Sequence, residues 1–395
     1  MTEIYEDDYY RYFGPGEYED LKKTQCELED ASSWEVYEGT LVVEASPTPI
    51  DAMEEIIDGS TTPQEIYDDT YEHSKLRLIR GLTKTCIRDC AMPSLIATSG
   101  VQGPAHKKMP PARLGRNLSD GLEFYARPKN QILVRGGKIS AVLSMDYEIM
   151  PISKLLEICE YMELTFGAAH FAAGSIMHAQ TFAQFEFPDS AEDISKDYNA
   201  VLTAAGRPAG EPMVPVVQFI SSDTSAECAT LLTYLKMDGK HLVPIGKTSV
   251  KHIRASSGAS RMEQFNDECN QLFAKMQFDI GELLPKMIST PIHHPANTFI
   301  GLCDYAKIPQ KWGGEIEEDL RADWPDGSEC TFLDIYKALA ETTSAAVEDG
   351  NAPYSKRVLD LEEGIARIAR NPSKWTAYDL PGTVSWNPSK ITQAD

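Results

Sequence analysis

Hydrophobic and polar positions alternate along WEVYEGTLVVEA (34–45), and its β-branched residues suit a strand. A stronger signal comes from NQILVRG and KISAVLS, two such runs joined at Gly136-Gly137, a two-residue turn that permits positive φ at both positions. That pair predicts a β-hairpin. MVPVVQFISS (213–222) reads as a further strand, and HLVPIG with SVKHIRAS as a second hairpin around Lys247. Apolar positions three and four apart instead predict helices over 51–58, over 63–82 with Thr61 or Thr62 as N-cap, over 151–166 and over 259–284. Two more follow in TFLDIYKALAETTSAAV and SKRVLDLEEGIARIAR. The stretch HSKLRLIRGLTKTCIRDC (73–90) places Leu76, Ile79 or Leu78, Leu82, Cys86 and Cys90 at helical steps and predicts an amphipathic helix with a basic face. GAAHFAAGSIMHAQTFAQF suits helix or strand, with His170 and His178 as structural residues of a small-residue interface if it is a helix.

Between these elements, 100–117 and 188–212 carry the Gly and Pro content of connections. Residues 1–33 lack an apolar period and read as a tail, whose five tyrosines offer rings for docking. Hairpins followed by helices, without a repeating β-α alternation, predict an α+β fold: antiparallel hairpins with packed helices and a helical C-terminal part. The organisation expected is an acidic leader over 1–72 with a first strand and helices, an α+β core over 73–330, and a helical segment and tail over 331–395.

Charge changes this picture. Residues 1–72 hold 21 Asp and Glu against three basic side chains, whereas 73–139 hold thirteen Lys and Arg against three acids, inside a chain of net charge −23. A second basic island runs from Lys240 to Arg261 without a carboxylate. So acidic a chain is repelled by nucleic acid at long range, and binding would have to come from a local basic groove. The leader is expected to lie over that groove and compete with phosphate for it. In 113–138, aromatic Phe124 and Tyr125 interleave with cations, the combination that tracks a phosphate backbone while stacking bases. The residues expected to contact nucleic acid are Lys107, Lys108, Arg113, Arg116, Arg127, Lys129, Arg135 and Lys138, with Lys247, Lys251 and Arg254 beside them. The alternative for the same residues is a solvated face with Phe124 in the core.

Other chemistries find little support. The longest apolar run, LTFGAAHFAAGSIM, is shorter than the roughly 20 residues a membrane span needs. The acidic N-terminus lacks the character of a secretory signal, and eight scattered cysteines suit reduced thiols, so a cytoplasmic location is expected. VPIGKTS resembles part of a phosphate-binding loop, but His241 stands where the first glycine is required. The pair His293-His294 and the Cys86, Cys90 spacing each lack the companions a zinc site needs, so no metal, cofactor or catalytic residue is assigned.

Three stretches carry a family resemblance. LVRGGKISAVLSMDYEIMPISKLLE is similar to the R-A-V-L-S-x-x-Y strand that leads into a helix in a phage- and plasmid-encoded family labelled a domain of unknown function. VVQFISSDTSAECATLLTYL resembles that family's S-H-D-G-S-like strand and turn, and KHIRASSGAS its I-R-H-T-like segment, in the same order over roughly 120–370. The family's Arg-rich cysteine and asparagine signature is absent, MDGKHLVPIGKTS standing in its place. The resemblance implies a mobile-element origin and carries no catalytic role. Together these features predict a non-enzymatic protein of phage type that binds single-stranded nucleic acid in annealing, recombination or genome handling, as a homo-oligomer in a bacterial host. The alternative is a virion or anti-defence protein that assembles with a phage or host protein through its charged segments.

Overall fold

The computed structural model describes residues 9–46, 53–60, 75–101, 108–125, 128–157, 167–208, 213–224, 227–237, 241–254, 260–325, 330–351, 355–382 and 384–386, with the single positions 62, 106, 162, 210 and 239. The first part of the chain forms β1 (Tyr10–Phe13), α1 (Tyr18–Asp30), β2 (Ser32–Glu38), β3 (Val42–Ala45), α2 (Met53–Ile57), β4 (Leu76–Arg80) and β5 (Thr83–Cys86). Next come α3 (Met92–Ser99), α4 (Pro111–Phe124), β6 (Lys129–Arg135), β7 (Lys138–Ser144) and α5 (Ile152–Leu156). The middle of the chain forms β8 (His170–Met177), β9 (Gln180–Glu186), α6 (Ala191–Ala204), β10 (Val214–Ser221), β11 (Ala229–Met237) and β12 (His241–Val250). The remainder is α7 (Arg261–Ser289), β13 (Pro291–Ile292), α8 (Pro295–Ala306), α9 (Gln310–Asp323), β14 (Cys330–Thr331), α10 (Phe332–Glu348) and α11 (Lys356–Ala369). The fold is α+β, with antiparallel sheets and a helical C-terminal part.

A six-stranded antiparallel sheet in the order β1-β8-β9-β10-β11-β12 forms the centre. One face carries Val217, Phe219, Leu231 and Leu235, all buried. Against this face pack α7, where Phe265 meets Phe219 edge-on at 6.3 Å, and α1, whose Leu21 lies over Gly174. A Cβ at Gly174 would stand 2.2 Å from Leu21 Cδ1, so only glycine lets the helix come this close. The opposite face carries Val216, Leu232 and Tyr234 and is covered by Ala366 of α11. β11 is thus buried on both faces, which explains why ATLLTYLKM shows no alternation to mark it as a strand.

Two three-stranded sheets, β2-β6-β7 and β3-β4-β5, form a second layer. They join where the Arg88 amide donates to the Ile139 carbonyl at 2.9 Å. Helices α3 and α4 cover them, burying Leu95, Leu118 and Leu122 against Leu76, Leu78, Ile132 and Val142. The β6-β7 hairpin turns through Gly136 and Gly137, both at positive φ as expected.

Several local expectations are corrected. Residues 76–86 form a hairpin, not a helix: Leu76 and Leu78 point inward with Arg77 between them, and Gly81 at φ 62° turns the chain. An i, i+2 reading and an i, i+3 reading both fit so short a run, and Gly81 together with β-branched Thr83 and Thr85 favours strands. Most of the helix expected over 63–82 lies outside the described residues. From Tyr9 onward the expected tail is ordered into β1 and α1, because α1 buries Leu21, Thr24, Gln25 and Leu28, a helical stripe half of which is polar. Of its tyrosines, Tyr18 docks on the chain's own sheet within 5.4 Å of both Phe171 and Phe185, Tyr12 stays exposed, and Tyr5 lies outside the described residues. The run 34–45 is two strands in different sheets. Helices α4 and α6 occupy parts of 100–117 and 188–212, and the helix expected over 151–166 is described only at Ile152–Leu156. His170 and His178 belong to the β8-β9 hairpin region rather than to a helix. Lys247 lies within the single strand β12, whose hairpin partner is β11.

Candidate nucleic-acid interface

Helix α4 starts at Pro111, with Pro at its first turn as the fixed φ of that residue favours. Gly115, Leu118 and Leu122 face inward, with Gly115 close to the backbone of β3 and Gly121 close to Ser99 of α3. Ser119 locks the helix to β3 through hydrogen bonds with the Val43 amide and carbonyl at 2.7 and 2.9 Å. This packing directs Arg113 and Arg116 into solvent, and Lys108 is exposed as well. At the other end of the helix Phe124 is 84% exposed and Tyr125 is 69% exposed. Phe124 is therefore not in the core. The Tyr125 ring rests on Gly100, where a Cβ would come within 2.7 Å of it. From Arg113 to Phe124 the helix extends about 16 Å. The arrangement is a strip of cations leading to two presented rings, with Asp120 and Glu123 on the exposed surface between them.

The other expected contacts are dispersed. Arg135 is wholly buried and cannot reach a phosphate from outside. Its Nη2 pairs with Asp223 Oδ2, its Nε donates to Ser32 Oγ at 2.8 Å and its Nη1 to the His178 carbonyl at 3.2 Å. Lys129 pairs with Glu38, and Lys247 lies 3.4 Å from Glu363. Lys138 is half-buried at the start of β7, while Lys251 and Arg254 are exposed. Residues 252–254 run beside 146–148, the Arg254 amide donating to the Asp146 carbonyl at 2.7 Å. Lys107 and Arg127 lie outside the described residues. The acidic leader meets the basic segment within one chain, at its surface: Glu35 pairs with Arg80, Glu38 with Lys129, and Glu44 with Lys84 at 3.3 Å.

Arg135 belongs to a buried polar seam between the second layer and the central sheet. Arg88 Nη1 lies 3.0 Å from His178 Nε2, and Arg88 Nη2 donates to the Arg135 carbonyl at 3.2 Å. Tyr147 Oη lies 3.1 Å from His252 Nδ1, and the two rings stack at 5.3 Å. His252 Nε2 stands 3.5 Å from Ser221 Oγ. Burial lowers His252 to about 4 and raises the Tyr147 phenol far above its ordinary range. The same burial lifts the Cys90 thiol to about 11. Ser221, Tyr147 and His252 are all enclosed, so the seam ties two sheets together. No single stretch of sequence announces it, because its members are spread along the chain from Ser32 to His252. One sequence signal marks Glu362: it lies four residues after Val358 and three before Ile365 on the apolar stripe of α11.

Among the described residues no cluster of His, Cys, Asp and Glu has the make-up of a metal site, and no helix is long and apolar enough to cross a membrane. Comparison of the chain with protein-family models, curated proteins and solved structures found no match.

Proposed function

We propose that this chain is a nucleic-acid-binding protein of phage or plasmid type that holds single strands on α4 and acts stoichiometrically in recombination or genome handling. The observation that carries this reading is the presentation of Phe124 and Tyr125 to solvent at the end of a helix whose opposite end displays Arg113 and Arg116. Exposed rings of this size are costly to leave in water and are suited to stacking on bases, which every sequence offers. Asp120 and Glu123 weaken the local positive field, so stacking supplies more of the affinity than phosphate contacts do. The mobile-element context rests on the family resemblance of 120–370. Assembly through complementary charged blocks is the weaker reading, because Glu35, Glu38 and Glu44 already meet Arg80, Lys129 and Lys84 within one chain.

The test is fluorescence anisotropy of labelled single-stranded and duplex oligonucleotides with the full chain at low and moderate salt. Single strands are expected to bind in preference to duplex. Replacing Phe124 and Tyr125 together by Ala should weaken binding at least tenfold, since each stacked base contributes about 1–3 kcal/mol. Replacing Arg113 and Arg116 by Gln should flatten the salt slope by about 0.7 per lost charge. Absence of binding at low salt, or binding indifferent to both double variants, overturns the proposal.

A further inference from the structure

Between the central sheet and helices α10 and α11 lies a cavity of about 1110 Å³, separate from the surface of α4. Gln184, Tyr234 and Lys236 line it from the sheet, and Tyr336, Val358 and Glu362 from the helices. Tyr336 commits its hydroxyl to the Leu242 carbonyl at 2.8 Å, which fixes the ring in the wall. Such a volume accommodates a drug-sized molecule.

Of the carboxylates that line the cavity, Glu348 is exposed at its rim, whereas Glu186 and Glu362 lie deeper and differ in their partners. Glu186 is neutralised by Lys236 at 2.9 Å, and Glu363 is neutralised by Arg370 at 2.9 Å with Lys247 at 3.4 Å. Among the described residues Glu362 pairs with no cation. The Gln218 amide donates to Glu362 Oε2 at a long 3.3 Å, and the same nitrogen donates to Gln184 Oε1 at 3.0 Å. One shared amide hydrogen bond is a thin counterpart for a carboxylate set among tyrosine and aliphatic side chains. Burial accordingly raises Glu362 to about 7, as expected for an acid that lacks a cation.

We propose that this cavity binds a small organic amine, its ammonium group on Glu362 and its apolar body along Tyr234, Tyr336 and Val358. An ammonium placed there would supply the missing counter-charge and sit among electron-rich rings that favour cations. A ligand carboxylate would instead meet Glu362, so anions are disfavoured. The site is independent of nucleic-acid binding.

The experiment is isothermal titration calorimetry of the full chain at pH 8 with tryptamine, benzylamine and spermidine, with indole-3-propionate as the anionic counterpart of tryptamine. At least one amine should bind, and the anion at least tenfold more weakly than tryptamine. E362Q should keep the circular dichroism spectrum of the parent and lose at least tenfold in amine affinity. E362D, which retains the charge, should keep the preference for amine over anion, and it decides the matter if E362Q fails to fold. No heat from any of the three amines, equal binding of the anion, or undiminished amine binding by folded E362Q would each overturn the proposal.

Discussion

Arg135 and Asp223 form an ion pair across the seam between the second layer and the central sheet, with the guanidinium entirely inside the protein. An isolated surface pair contributes little, but removing one partner of a buried pair strands the other charge at a cost of about 3–5 kcal/mol. Both R135M and D223N should therefore lower the urea midpoint strongly. Any R135M protein that remains folded should bind oligonucleotides with an unchanged salt slope, because the residue does not face solvent.

His252 makes stability depend on acid. Burial holds its folded value near 4, below the ordinary 6.5, so the unfolded chain binds the extra proton first. Its contribution is complete above about pH 6.5 and is lost as pH falls towards 4, a change on the order of 3 kcal/mol. Urea titrations across this window should show a steeper loss for the parent than for H252Q. Equal slopes would mean that the imidazole is not held neutral.

Glu362 acts in the opposite sense. Its folded value of about 7 lies above the ordinary 4.5, so the native state holds the proton longer than the unfolded chain does. Stability from this group is full below about pH 4.5 and declines as pH rises to 7, again on the order of 3 kcal/mol. E362Q, which cannot ionise, should remove this decline and leave the protein more stable than the parent at pH 8. A saturating amine should restore part of the parent's loss at the same pH.

At Gly121, α4 packs directly on the backbone of α3. A Cβ there would lie 2.3 Å from the Ser99 carbonyl oxygen, a backbone atom that cannot swing aside. G121A gains helix propensity but should still lower stability, by about 1–3 kcal/mol of overpacking. Because α4 carries the presented rings, G121A should also weaken oligonucleotide binding at temperatures where it remains folded.

The legible parts of the fold were those whose signal is local. Gly136-Gly137 between two alternating runs dictates a tight turn wherever the hairpin sits, and α7, α10 and α11 declare themselves by long apolar stripes. The spacing of 76–86 satisfies two periods, and the sheet partners Val42–Ala45 decide between them. β11 went unseen because burial on both faces erases the alternation that identifies a strand.

For the candidate sites the division is sharper. The order of residues alone carries the α+β class, the β6-β7 turn, and the presence of a basic, aromatic-bearing segment after an acidic one. Which cations are available follows from folding: Arg135 is enclosed, Lys129 is taken up by Glu38, and Arg113 and Arg116 are left in solvent. It likewise placed Phe124 and Tyr125 outside the core and set Glu362 in a cavity wall. The physical reason is that turns and helical stripes depend on neighbours a few residues away. The exposure and pairing of a charge depend on groups such as Asp223 or Glu38, which only folding brings into contact.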